Sequence, residues 1–91
     1  MNFEWDPRKA ARNRKTHQVS FHEAATVFGD PLSITFHDPD HSLSEQRFIT
    51  VGMSSAGRLL IVAHAGGEDW IRIISARRTT RGEQEYYEEK H

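Results

Sequence analysis

Apolar residues recur at two spacings along this chain, and each change of spacing marks an element. Phe3 and Trp5 alternate with polar neighbours in Asn2-Phe3-Glu4-Trp5, which predicts a short edge strand. Asp6-Pro7 stops it and opens a helix, because Asp caps the free N–H groups of a first turn and Pro fits its first position. This helix is expected to run to about Lys15, with little apolar content beyond Ala10 and Ala11. Ser20 and Glu23 form a capping box for a second helix, with Val19 and Ala24 placed as a hydrophobic staple. Phe21, Ala24, Ala25 and Phe28 share one helical stripe, read as core, until Gly29 and Asp30-Pro31 end it. His17 and His22 lie off that stripe.

From Leu32 the period drops to two. Leu32, Ile34 and Phe36 read as the inward face of a strand, and His37-Asp38-Pro39-Asp40-His41-Ser42 as turn chemistry. Gln46 to Met53 alternates again, with Arg47, Ile49, Val51 and Met53 on one face and Phe48 and Thr50 on the other. Ser54-Ser55-Ala56-Gly57 is a hairpin turn. Arg58 to Ala65 is almost continuously apolar, as expected of a central strand covered on both faces. Gly66-Gly67-Glu68-Asp69 turns the chain into the strand that starts at Trp70, and Thr80-Arg81-Gly82-Glu83 is a second capping box opening a last helix from about Arg81. The predicted fold is α+β: an antiparallel sheet of about four strands, two N-terminal helices and one C-terminal helix.

Composition adds limits. Ninety-one residues make a single domain, 1–91, with a thin core. Hydrophobic residues at 36% and charged residues at 27% suit a globular chain. The absence of cysteine excludes disulfides, a thiolate nucleophile and zinc–sulfur sites. No apolar run approaches the roughly 20 residues of a membrane span, and no signal-peptide pattern opens the chain, so the cytoplasm is the default location. The net charge is −1, yet its signs are segregated. Arg8, Lys9, Arg12, Arg14 and Lys15 form one basic block, Arg72 to Arg81 a second, and the tail is rich in Glu.

The second block carries the strongest chemical signal. Arg72 and Arg77 stand within or at the end of an apolar strand, and a helix N-terminus follows. Strand arginines are either paired with carboxylates or aimed at an anion such as phosphate. His37 and His41 with neighbouring aspartates could suggest a metal, but Pro39 keeps a regular helix from aligning them, and exposed histidines are the simpler reading.

At this point the residues carry a resemblance. Phe3-x-Trp5-Asp6-x-x-Lys9-x-x-x-Asn13, then His17-x-Val19-Ser20-Phe21-x-Glu23-Ala24-x-x-Val27-Phe28-x-Asp30-Pro31, resembles the BrnT family. So do Glu45-x-Arg47 with Gly52 downstream, and above all Arg72-Ile73-Ile74-Ser75-Ala76-Arg77 followed by Glu83 and a tyrosine. The resemblance spans nearly the whole chain. It implies a RelE-like toxin of a bacterial type II toxin–antitoxin pair that cleaves RNA without metal or other cofactor. It also implies a ribbon-helix-helix antitoxin, BrnA-like, through which alone DNA would be bound; a homodimer within that complex is compatible with it. One departure is Thr16-His17-Gln18, where the family often has Lys-His-Gly. The missing Gly weakens the expected helix C-cap, and Lys15 stands in for the missing Lys.

Metal-free cleavage uses the 2′-OH as nucleophile and needs a base, a cation for the developing phosphorane charge and an acid for the leaving oxygen. On that implied chemistry Arg72 and Arg77 are the phosphate clamp, and His64 and Glu45 the acid–base candidates. Arg47, Lys9, Lys15 and Arg81 are RNA contacts. Tyr86 and Tyr87 are reserve contacts, with helix-on-sheet packing the simpler job for each. His64 is equally readable as a satisfied histidine near a strand end. A non-catalytic protein-binding module is the alternative function. A zinc deaminase or metal hydrolase is opposed by the lack of cysteine and of metal-ligand spacing.

Overall fold

Local signals place the elements. In this computed structural model, which describes residues 1–38, 45–67 and 69–90, the order is β1 (Asn2–Glu4), α1 (Pro7–His17), α2 (Phe21–Thr26) with a 3-10 turn over Val27–Gly29, β2 (Ile34–His37), β3 (Arg47–Met53), β4 (Leu59–Gly66), β5 (Trp70–Arg78) and α3 (Arg81–Glu89). The Asp6 carboxylate accepts from the Arg8 N–H at 2.8 Å and starts α1. Ser20 caps α2, and Thr80 with Glu83 forms a complete capping box on α3. Helix α1 runs past Lys15 to His17 because Gln18 takes the left-handed conformation, φ 57°, that a glycine would otherwise supply. Its N–H bonds the Arg14 carbonyl and its side chain the Lys15 carbonyl, so this C-cap survives without glycine. Strand β2 begins later than the alternation predicts. Leu32 is in the preceding turn, 46% exposed, its N–H held by Asp30. Most of the loop read at His37–Ser42, with His41, lies outside the described residues, as do Glu68 and His91.

The sheet has five strands in the order β1-β5-β4-β3-β2 and is mixed, not an antiparallel set of four. Strand β1 joins the edge parallel to β5, with Asn2 opposite Trp70 and Glu4 opposite Arg72. A three-residue strand carries no signal of its partner, and this one lies at the far end of the chain. The other neighbours are antiparallel.

Helices cover both faces. On one face α1 and α2 enclose Val19, Phe21, Ala24 and Val27 with Leu60 and Val62 of β4 and Ile71, Ile73 and Ala76 of β5. On the other, α3 lays Tyr87 over Val51 and Ile61, with Ile34, Ile49 and Leu59 around them. Strand β4 contributes alternate residues to both cores, which explains its continuous apolar run. Tyr87 is fixed at its hydroxyl, which donates to Asp30 Oδ2 at 2.7 Å; the same oxygen accepts the Met53 N–H. Burial first, and the Asp30 carboxylate second, push that hydroxyl's pKa up to about 12, so it stays a donor.

Two irregularities in β5 control the rest. Ala63 pairs Ser75 but His64 pairs Ile73, so Ile74 is an extra residue, a β-bulge. Before it Ile71 and Ile73 face the α1–α2 core; after it Ala76 does. Beyond Arg72, where β1 stops, no strand among the described residues lies beside the outer edge of β5. Buried Asn13 of α1 takes that place: its amide nitrogen donates to the Ala76 carbonyl at 2.8 Å and the Val19 carbonyl at 2.9 Å, and its oxygen accepts the Ala76 N–H at 3.1 Å.

Asn13→Ala should therefore strand three buried backbone groups. The expected loss in urea unfolding is roughly 2–4 kcal/mol, at an unfolding cost of about 1–3 kcal/mol for each buried group left unsatisfied, partly relieved by water. Asn13→Asp should also destabilise, since it loses both donors; stability equal to the parent protein in both variants would contradict the clamp.

Candidate functional site

The bulge decides which face the arginines occupy. Arg72 and Arg77 are five positions apart, and in a regular strand they would point to opposite sides. The extra residue Ile74 restores them to one side, the face that carries α3. Cross-strand pairing lays that face out in rows. Arg47, Ala65 and Arg72 form the first; Phe36, Ile49, Ala63 and Ser75 the second; Ile34, Val51, Ile61 and Arg77 the third. Arg72 and Arg77 are thus two rows apart, about 13 Å along the strand.

Each arginine has its own carboxylate. Arg72 bonds Glu45, and Arg47 lies 3.9 Å from the same Glu45 oxygen. Glu45 and Arg47 are each 33% exposed at the side chain and Arg72 37%, so about a third of this three-residue cluster faces solvent, while the Arg47 Nε is buried. Arg77 makes two parallel bonds to Glu83, both 2.9 Å, and one to the Arg78 carbonyl at 3.1 Å. Glu83 also accepts the Thr80 N–H at 2.8 Å. The Arg77 bonds, with help from Thr80, hold the Glu83 carboxyl at about 2, and the same bonds raise the Arg77 pKa. Arg77 thereby ties α3 to β5, and its fork is filled. The sequence reading treated the two arginines as a joint clamp; the structure gives two separate ion pairs.

His64 is not with them. It faces the α1–α2 side of the sheet, 6% exposed, its Nε2 2.7 Å from Thr50 Oγ, which lies 2.7 Å from Thr35 Oγ. The Phe48 ring stacks on it and the Phe28 ring meets it edge-on at 4.8 Å. Burial lowers its pKa to about 4, so it is neutral at pH 7. This is the satisfied-histidine arrangement. The alternation of β4 puts His64 on one face with Leu60 and Val62, and the register with β5 puts Arg72 on the other.

Lys9 of α1 lines a cavity of about 300 Å³ with Arg12, Asn13, Thr16, His17, Ile74 and Ser75. Ser75 belongs to the second row, so this basic hollow borders the arginine face at the β5 edge. Lys15 is exposed on α1 and is not among the residues of that hollow. Arg81 is 94% exposed at the side chain and faces Glu85 at 3.7 Å. Tyr87 is core, and Tyr86 is exposed against Phe36. His37, also exposed, packs on Phe48. Among the described residues no three His, Asp or Glu side chains converge as a metal-ligand set, and no helix is long and apolar enough to cross a membrane.

Comparison with known proteins agrees with this picture. The family described as "Ribonuclease toxin, BrnT, of type II toxin-antitoxin system" matches residues 5–83. A crystal structure of the Brucella abortus ribonuclease toxin BrnT superposes with a TM-score of 0.63 at 18% identity, covering 89% of this chain and 99% of that one. No curated protein sequence matches the chain.

Two of the shifted groups, His64 and Glu83, predict a stepped acid response. The His64 pKa is lower folded than the ordinary 6.5, so the unfolded chain takes up this proton first. Stability is full above pH 6.5 and falls toward pH 4, by at most about 3 kcal/mol. The depressed Glu83 carboxyl acts lower, its contribution present above the ordinary carboxylate pKa and lost as pH falls toward 2. Urea midpoints measured in pH steps should show the first loss, and His64→Gln should remove it. A flat profile from pH 6.5 to 4 in the parent protein would refute the assignment of His64.

Proposed function

Because the chain belongs to the BrnT family, the ribonuclease toxins of type II toxin–antitoxin systems, we propose that it is a metal-independent endoribonuclease whose reaction centre is the Glu45–Arg72–Arg47 cluster. The observation that supports this most is the meeting of one carboxylate and two guanidiniums on an open sheet face. Glu45 takes the proton of the 2′-OH. The 2′ oxygen then bonds phosphorus, and the bond to the 5′ oxygen breaks, that oxygen leaving with a proton from solvent. Arg72 and Arg47 hold the non-bridging oxygens, because a guanidinium fork matches phosphate and stabilises the charge built up on the phosphorane. In the resting protein Glu45 neutralises Arg72, so an incoming phosphate replaces the carboxylate on the guanidinium and frees it to act as base. Lys9 and Arg12, beyond the β5 edge, carry flanking phosphates. Arg77 positions α3, and His64 is structural.

The products should be a 2′,3′-cyclic phosphate and a 5′-hydroxyl, formed by purified protein in EDTA. Glu45→Gln and Arg72→Ala should each lower the rate about a hundredfold or more, in the range of a positioned base or an oxyanion donor, while His64→Gln cleaves as the parent does. Binding without cleavage under all conditions would instead favour a non-catalytic module.

A type II toxin is held by a protein antitoxin. We assign the Glu45–Arg72–Arg47 face as the surface covered, by a BrnA-like ribbon-helix-helix partner that presents acidic side chains to the arginines. Growth inhibition follows from cleavage of cellular RNA in the cytoplasm once that cover is lost. The isolated chain should not retard its own promoter fragment in a gel, whereas the co-purified complex should, and the complex should leave RNA intact. Tight promoter binding by the isolated chain at physiological salt would sink this assignment.

A further inference from the structure

Between the Arg47–Arg72 row and α3 the open face holds a trough of about 360 Å³, walled by Phe36, Ile49, Val51, Ile61, Gly82 and Tyr86. That is within the size range of small-ligand pockets. Phe36 and Tyr86 are each 37% exposed, unusual for large rings in a domain with so thin a core, and their centroids are 5.5 Å apart at 47°. The Lys90 ammonium lies 5.3 Å from the Tyr86 ring centre and adds a cation at the outer wall. Glu83 is the one charged residue of the lining, and its carboxylate is turned to Arg77.

Gly82 is the second observation. It lies in the first turn of α3, where glycine costs helix stability. Its φ is not positive, and a Cβ built there meets nothing within 4 Å. Neither backbone nor packing calls for glycine, and Gly82 is one of the residues that line the trough.

We propose that this trough is a nucleobase subsite for single-stranded RNA, holding the base next to the phosphate bound at Arg47 and Arg72. The inference rests on the ribonuclease reading above. The floor residue Ile49 is one row from Arg47, about 6.8 Å along the strand, a distance one nucleotide spans. The base lies on Ile49 with Phe36 and Tyr86 as walls. Among the described residues the lining offers two polar side chains, Glu83, which is committed to Arg77, and Tyr86, whose ring is otherwise apolar, so the subsite works mainly by stacking and requires a base without strongly selecting which one.

The test uses a short 2′-O-methyl oligoribonucleotide, which cannot be cleaved through its 2′ oxygen, and an abasic oligonucleotide of equal length. Fluorescence anisotropy should show tighter binding of the base-bearing strand by the parent protein. Gly82→Leu should fill the trough and weaken that strand about fivefold to a hundredfold, leaving abasic binding unchanged. Phe36→Thr, which keeps a β-branched residue on the strand, should do the same, and thermal unfolding confirms that both variants fold. Arg72→Ala should weaken both strands. If both trough variants bind the base-bearing strand as the parent does while Arg72→Ala does not, the subsite is overturned and the nuclease reading stands. Loss of antitoxin binding by Gly82→Leu with RNA binding intact would make the trough a protein seat and also overturn it. A parent protein that binds neither strand overturns the subsite and the ribonuclease reading together.

Discussion

Ala76 is flanked by strand β4 on one side and, among the described residues, by no strand on the other, and the side chain of Asn13 provides the pairing that a sixth strand would have provided. The same amide holds the Val19 carbonyl at the entrance to α2. One buried residue therefore docks α1, aims α2 and fixes β5 just beyond its bulge. Buried backbone groups must find partners, so the strand cannot slide by a residue without losing this match. The phase of β5 after Ile74 depends on it, and with that phase the placement of Arg77 and of α3.

Two charge pairs on the α3 face illustrate how the same chemistry serves different ends. Arg77 and Glu83 are locked by two parallel bonds, and Glu83 is further held by the helix cap, so this pair is built into the corner between β5 and α3. Arg72 and Glu45 join residues from β5 and the approach to β3 with Arg47 beside them, and among the described residues no further hydrogen bond fixes either side chain. A charge already held by several partners gives little to a ligand, whereas a solvent-facing pair can exchange its carboxylate for a phosphate at small cost. The two arginines therefore differ in what else holds their partners.

The two faces of the sheet are also divided by polarity. His64, Thr50 and Thr35 form a chain of hydrogen bonds on the α1–α2 side, with Phe28 and Phe48 packed on the buried imidazole. Satisfied in this way, a buried imidazole remains neutral and inert as a base for a substrate across the sheet. The open face keeps its cations and its exposed aromatic rings together, an arrangement suited to a chain that alternates phosphates and bases.

By itself the sequence determined the elements and most of their limits. Asp6-Pro7, Ser20 with Glu23 and Thr80 with Glu83 fixed three helix starts, because a cap is a contact between residues within one turn. The continuous run of β4 announced a strand covered twice, and the motif around Arg72 and Arg77 pointed to the family. Tertiary structure alone decided the parallel docking of β1, the Asn13–Ala76 bonds and the partners of each arginine, since these join residues far apart in the chain. The bulge at Ile74 has no mark in the sequence, because an extra residue in a strand is defined only by its register with β4. That register put Arg72 and Arg77 on one side and His64 on the other, because side chains in a strand alternate with period two and a single extra residue reverses every one that follows.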